Sequence, residues 1–370
     1  MSTAKLLTLK QKKQWLELFN LLPVAVQDVY YTPDYYEIYE KHGDGQAGCF
    51  VYQEGKDVAI YPFLVNEINS LGYELDAACY DIQGAYGYNG VVYSTNAWEF
   101  IDRFYKEFDS FCKSNNIIAE FTRFHPIIKN EVFSHNYMEV MFNRTTVYVD
   151  LTKSYHDIYN KYKHSVKTNI KAAVRNDLKT CIYGNEFPYK KDFIEMYRAS
   201  MEKLDADPYM YFSEEYFTNT MDKLPVVQFV ILKDKEPIAS SLCLLHGHYF
   251  HPHFLAYKAE YSYLRPVNIL VDEMIKYGIE IGSRVFHFGG GRTTNKEDSL
   301  LRFKKNYSDL RGSFYVGKKV HDEAVYSEVC RQWEERNPLA AARQAGVLLR
   351  YRNFAADTES VKNEIADQVQ

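Results

Sequence analysis

QFVILKDKEPIASSLCLL, residues 228–245, decides the fold once it is set beside CFVYQEGKDVAIYPFLV, residues 49–65. Each is a β-forming run, a short polar turn and a second β-forming run, which predicts a β-hairpin. Pro62, inside the second run of the first copy, is expected at an edge or a bulge. In both halves the same elements come next. An amphipathic helix is expected over residues 97–114 and again over 268–281, and a short apolar strand over 117–124 and 284–288. The first helix carries Phe100, Ile101, Phe104, Phe108 and Phe111 at helical spacing. A repeated hairpin, helix and strand predicts two duplicated α/β domains, mixed sheets flanked by helices, with the ligand cleft between or beside them. The expected division is an N-terminal domain over 1–145, a C-terminal domain over 146–330 and a helical tail over 331–370.

Composition excludes several classes. The chain has 370 residues, with 44 Lys and Arg against 49 Asp and Glu, so its net charge of -5 offers no overall attraction to nucleic acid or anionic membrane. Any such binding must come from a local patch. Six cysteines without a CxxC pair suggest neither a disulfide framework nor a zinc ribbon, and fit a reducing cytoplasm. No signal peptide and no transmembrane segment is expected, because nowhere do eighteen apolar residues run uninterrupted.

The chemistry concentrates after the second repeat's last strand, in RVFHFGGGRTTNKEDSLLRFK, residues 284–304. Gly289, Gly290 and Gly291 stop that strand where no side chain blocks a ligand's approach. Thr294 and Glu297 are expected to form a capping box opening a helix on which Leu300, Phe303 and Tyr307 face the core. Lys304 shares that stripe. Its ammonium either snorkels to water or is aimed into a cleft. Arg292 follows the glycines, and with no GxxxxGK[ST] pattern NTP hydrolysis is not indicated, although the glycines could hold an anion. There is also no GxSxG elbow, so a covalent acyl-enzyme is not expected.

Three further stretches stand out. DIQGAYGYNGVVYS, residues 81–94, interleaves Gly84, Gly87 and Gly90 with Tyr86, Tyr88 and Asn89, and reads as a recognition loop or as a tightly turned surface loop. A helix opening at Leu151 carries Lys163, Lys167, Lys171, Arg175 and Lys179 four apart, opposite Val166, Ile170, Ala173 and Val174. Like charges at that spacing repel by roughly 0.2 to 0.5 kcal/mol a pair, which a polyanionic partner would relieve. HGHYFHPHF brings His246, His248, His251 and His253 together, but Gly247 suggests a turn, Pro252 interrupts the strand and no carboxylate completes a ligand set. No metal is expected there.

FHFGGG, DSLLRFK and the C-terminal LLRYR, together with GAYGYNG and YKHSVKTNIKAAVRND, resemble the FemAB-like acyltransferases, a branch of the GNAT superfamily. The resemblance spans about residues 30–352. It implies a pair of GNAT-like domains and transfer of an acyl group to an amine. Better-known members use aminoacyl-tRNA and a peptidoglycan precursor, and broader relatives are assigned to polysaccharide synthesis. Carried over by motif, Lys304 would neutralise charge developing on the acyl carbonyl, beside Phe303, and Asp298 matches the acidic residue that opens their helix. Tyr249, His253 and Tyr257 fall on the strand that lines the acyl pocket. The basic residue that several members place after the PFLV-like strand is replaced by Val65, Asn66 and Glu67, which argues against a peptidoglycan nucleotide as acceptor. The [RQ]xxGx[GA] pyrophosphate signature of acetyl-CoA enzymes is missing too. The expectation is therefore an N-acyltransferase with no resident cofactor. Its acyl donor, aminoacyl-tRNA or a thioester of CoA or acyl carrier protein, is a co-substrate, and a small-molecule or glycan-precursor amine is the acceptor. Lys304 and a base such as His253 would carry the chemistry. Substrate contacts would come from Phe303, Tyr249, Tyr257, Gly289–Gly291, Arg292, Tyr86, Tyr88 and Asn89, and donor contacts from Lys163, Lys167 and Lys171. The alternative is a duplicated fold kept as a ligand platform without turnover.

Overall fold

The computed structural model describes residues 2–353. They form two compact units, one of residues 2–144 with 313–353 and one of 145–312. The first opens on β1 (Ser2–Thr8), α1 (Lys12–Asn20) and α2 (Pro33–His42). The last starts where Thr32 caps the Tyr35 N–H and Pro33 takes the first helical position, and stops at Gly43, whose φ is 98°. Next come the hairpin β2 (Gln46–Glu54) and β3 (Asp57–Glu67), then β4 (Tyr80–Gln83), β5 (Val92–Tyr93), α3 (Trp98–Ser114) and β6 (Ile117–Arg123). The chain passes into the second unit within β7 (Glu139–Asp150). There follow α4 (Tyr155–Lys161), α5 (His164–Arg175), β8 (Lys179–Tyr183), α6 (Lys190–Lys203) and α7 (Glu214–Lys223). The second hairpin is β9 (Val226–Lys233) and β10 (Glu236–His246), followed by β11 (Tyr249–Tyr257), α8 (Pro266–Glu280), β12 (Val285–Gly289) and α9 (Ser299–Lys305). Within β13 (Leu310–Val320) the chain returns to the first unit, which α10 (Glu323–Arg336) and α11 (Pro338–Ala341) complete.

The strand order is β1-β2-β3-β4-β6-β13 in the first unit, with β5 also on β3, and β7-β12-β11-β10-β9-β8 in the second. Both contain the same substructure. Three consecutive antiparallel strands, β2-β3-β4 or β9-β10-β11, lead through a helix to a strand parallel to the third, β6 or β12. The predicted repeat is present, with a third strand in each copy. In the first unit α3 packs Phe100, Phe104 and Phe108 on Phe50, Tyr61 and Phe63, and α10 covers the other face with Val329 and Trp333. In the second, α8 lays Leu270, Met274 and Ile275 on Phe229, Phe250 and Phe286, while Phe254 meets Tyr197, Phe212 and Phe217. Sheets covered on both faces explain why β3 and β10 are buried along most of their length, with β10 carrying the buried Ser240 and Ser241 among its apolar residues.

Several expectations change. Residues 313–330 belong to the first unit, because β13 pairs with β6 from Val316–Arg123 to Val320–Ala119. The described part of the tail packs Trp333, Leu349 and Tyr351 into the same unit's core. Pro62 lies inside β3, opposite Cys49, between the stretches where β5 and β4 pair on its other side, so it sits at a gap in the ladder rather than at an edge. The helix expected from Leu151 is two helices, because the chain turns extended at Tyr162 and Lys163. Lys179 is therefore on β8, and Val174 is 61% exposed instead of facing the core.

Candidate functional site

In the second unit the parallel strands β11 and β12 pair only at Tyr249–Val285 and Phe250–Phe286. Beyond that point no ladder joins them, although both strands continue. The local sequence accounts for the parting. Pro252 has no N–H to offer a neighbour, and His253 is a bulged residue, since Leu242 faces Phe254 while Cys243 faces Pro252. A bulge bends the strand and re-aims its side chains. The result is an opening at the carboxyl ends of two parallel strands, the position where open α/β sheets characteristically take ligands.

The glycine triplet and α9 close round the end of β12. Gly289 has φ of 76°, a conformation that side-chain-bearing residues avoid. A Cβ on Gly291 would lie 2.5 Å from the Asp298 carboxylate. That carboxylate holds the segment together: it accepts the N–H of Leu301 at 2.9 Å, capping α9, and those of Arg292 and Thr293 at 3.2 Å. Partial burial works against its charge, but these hydrogen bonds prevail and hold its pKa below the ordinary carboxylate value. The expected capping box at Thr294 and Glu297 does not form, because Asp298 supplies the cap. The helix consequently buries Leu301 rather than Leu300. Lys304, one turn on, donates from Nζ to the Gly290 carbonyl at 2.6 Å and lies over the Phe288 ring at 5.5 Å. The ammonium thus stands at the glycine turn that ends β12.

The remaining predicted residues divide. Phe303 packs edge-on against Phe288 and Tyr307, so it anchors α9. Tyr249 is buried, its ring parallel to that of His251, and Tyr257 is 38% exposed at the far end of β11. Arg292 is exposed at its side chain and contributes a backbone N–H to the Asp298 clamp. Other residues escape notice in the sequence. His287 is buried on β12 with its ring 5.6 Å from that of His251, hidden in an apolar run. Asn268, in the first turn of α8, donates to the Tyr307 hydroxyl at 2.8 Å. A polar residue in the run PVNILV was its only signal.

The loop 81–94 is built differently from a recognition loop. Asn89 is fully buried and joins β6 as a strand residue would: its N–H donates to Arg123 O at 2.6 Å and its Oδ1 accepts the Arg123 N–H at 2.7 Å. Gly84, Gly87 and Gly90 are approached by the Asn89 side chain, by Tyr30 and by Asn130 with Phe124, so they are small to let the loop pack on its own unit. Tyr86 and Tyr88 remain half-buried, Tyr88 edge-on to Tyr30, His125 and Phe314. Of the basic residues, Lys163 and Lys171 are exposed, whereas Lys167 is tied down, bonded to Asn160 O at 2.8 Å and set over Tyr159.

This architecture is the tandem GNAT fold, and the second unit carries its sequence signature: residues 190–305 match the acetyltransferase (GNAT) domain model. Among solved structures the chain is similar to the crystal structure of FemX, with a TM-score of 0.66 and 12% identity, over 88% of this chain and 99% of that one. It is also similar to the C-terminal domain of a putative lysylphosphatidylglycerol synthetase from Agrobacterium fabrum (TM-score 0.53, 10% identity, 88% and 95% covered). A conserved protein of unknown function from Bacteroides thetaiotaomicron VPI-5482 is a further likeness (TM-score 0.54, 7% identity, 86% and 99% covered). No curated protein matches the sequence. Among the described residues no helix is long and apolar enough to cross a membrane.

Proposed function

We propose that the protein is a cytoplasmic N-acyltransferase of FemAB-like type, which moves an aminoacyl or acyl group from an activated donor to an amine of a cell-wall or polysaccharide precursor. The observation that carries this reading is Lys304, held at the glycine turn where β11 and β12 have parted. An amine attacking an ester or thioester forms a tetrahedral oxyanion, so the site needs a fixed positive donor and exclusion of water more than it needs a nucleophile. Lys304 is that donor. As the new C–N bond forms, the carbonyl π pair moves to oxygen beside the ammonium; collapse restores the carbonyl and breaks the C–O or C–S bond, and the amine's proton passes by way of a base to the departing alkoxide or thiolate, which leaves as the alcohol or thiol. His253, on the bulge of β11, is the side chain we assign to that step. Asp298 is a positioning residue that fixes the glycine loop and α9.

The basic residues of α5 favour aminoacyl-tRNA over a thioester as donor. The test is incubation with aminoacyl-tRNA, acyl-CoA and acyl carrier protein, each with candidate amino sugars, followed by mass spectrometry. We expect the acceptor to gain the mass of the acyl group with the RNA donor. Absence of transfer from every donor would leave the fold a ligand platform and overturn the proposal.

A further inference from the structure

Helix α8 carries a polar stripe that the reaction has not so far used. Its sequence PVNILVDEMIKYG, residues 266–278, is apolar at most positions, yet Asn268, Asp272 and Lys276 fall four apart and so share one side of the helix. Asn268 and Asp272 are buried. Each holds a tyrosine of a different element. Asn268 Nδ2 donates to the Tyr307 hydroxyl at 2.8 Å, just beyond α9, and the Tyr155 hydroxyl on α4 donates to Asp272, with both carboxylate oxygens at 2.9 Å. Lys276 Nζ balances that carboxylate at 2.8 Å. Rings connect the two anchors: Tyr155 leans on Tyr159, Tyr159 on Tyr162, and Tyr162 stands edge-on to Tyr307 at 5.3 Å. Tyr307 packs on Phe288 and Phe303, and its N–H donates to Lys304 O at 3.0 Å. The backbone N–H of Lys163 meets the same turn at Asn306 O, 2.9 Å away. The turn after Lys304 is thus held by α8 directly and by the junction of α4 and α5.

Stability alone does not ask for this stripe. Burying a carboxamide and a carboxylate costs desolvation that their hydrogen bonds largely offset, and replacing both partners of such a bond by apolar groups of the same shape is close to neutral. What a directional bond adds is a single register, because it ties the turn after Lys304 to one atom of α8. Lys304 needs that constraint. Its stem is flexible, and its ammonium has to stay at the Gly290 carbonyl and over the Phe288 ring. We infer that Asn268, acting through Tyr307, is a positioning residue for the Lys304 ammonium, and that Asp272 supports it through Tyr155 and the tyrosine rings that follow. The effect on rate rests on the acyltransfer reading, but the place of the ammonium can be read without turnover.

The experiment uses the full chain with its lysines labelled by reductive methylation with carbon-13, and Lys304→Met assigns the Lys304 resonance. In the parent protein the Phe288 ring should shift that resonance away from those of the exposed lysines. Asn268→Leu with Tyr307→Phe replaces both partners by apolar groups of similar size, so Tm should stay within about 4 °C of the parent. The Lys304 resonance should nevertheless move toward the exposed lysines. In the unlabelled variant, kcat for transfer from aminoacyl-tRNA to an amino sugar should fall about tenfold at an unchanged KM for the sugar, since a small misplacement is felt in the transition state. Asn268→Asp gives the Tyr307 hydroxyl an acceptor in place of a donor, and should keep the shifted resonance and bring the rate to within about twofold of the parent. Should the double variant fail to fold, Asp272→Asn keeps the shape, weakens the hold on Tyr155 and should move the resonance part of the way, with kcat down about threefold. An unmoved resonance in whichever of these two variants folds, or a rate lost only in proportion to Tm, would overturn the inference, as would loss of the shifted resonance in the Asn268→Asp protein. A moved resonance in a protein whose parent transfers no acyl group from any donor would overturn the enzymatic reading and leave the positioning standing.

Discussion

The two units contain the same parallel strand pair, and they treat it in opposite ways. In the first, β4 is joined to β6 over its whole length, from Tyr80–Ile117 to Gln83–Phe121, and Asn89 prolongs the seam to Phe124 after β4 has ended. In the second, β11 and β12 separate after two pairs. A carboxamide that imitates a strand residue seals one copy. A proline and a bulged histidine open the other. The difference teaches that a duplicated fold need not repeat its strand pairing: the topology offers the position twice, and a few residues decide in which copy the parallel strands part.

The strongest way to break the comparison is at the open end. Lys304→Met keeps most of the stem's packing and removes the charge, so acyl transfer should fall a hundredfold or more, about 3 kcal/mol of transition-state stabilisation, with Tm nearly unchanged. If the variant retains most of its activity in a steady-state assay, the opening is not the catalytic centre. The closed end should respond through stability instead. Gly90 has φ of 91° and a Cβ there would meet Asn130 at 2.6 Å, so Gly90→Ala should cost about 2 to 3 kcal/mol in denaturant unfolding. The folded fraction should keep its kcat. Asn89→Ala should cost somewhat less, about 1 to 2 kcal/mol, because it removes a fully buried side chain and leaves the partly buried Arg123 N–H without its acceptor. A large loss of kcat in either variant would show that the seam serves the reaction.

The smallest effect sharpens the account of the glycine loop. The Asp298 pKa is lower in the folded state than in the unfolded chain, so the stability it contributes is fully present above its unfolded value, near 4, and is lost as pH falls through the folded value. Asp298→Asn should cost about 1 kcal/mol at neutral pH, the worth of a helix cap, and its deficit relative to wild type should shrink below pH of about 4. A deficit independent of pH in thermal unfolding would assign the effect to shape rather than charge.

What the sequence determined by itself was whatever is local or repeated. The two hairpins, the amphipathic helix that follows each of them and the strand before Gly289 are all set by period and turn chemistry, and each forms where expected. Pro252 announced an interruption, and Lys304 in an apolar stripe announced an ammonium that either snorkels to water or faces a cleft. The tertiary structure decided everything that depends on partners distant in the chain. It returned residues 313–330 to the first unit, because an edge of β6 was there to pair with β13. It turned Asn89 from a candidate ligand contact into a seam, because Arg123 lies beside it only after β4 and β6 have paired. It moved the cap of α9 to Asp298, because one carboxylate could serve three backbone N–H groups that come together only when the glycine loop folds back. It left the β11–β12 opening invisible in any window of sequence, since a missing ladder is a relation between two strands and not a property of either.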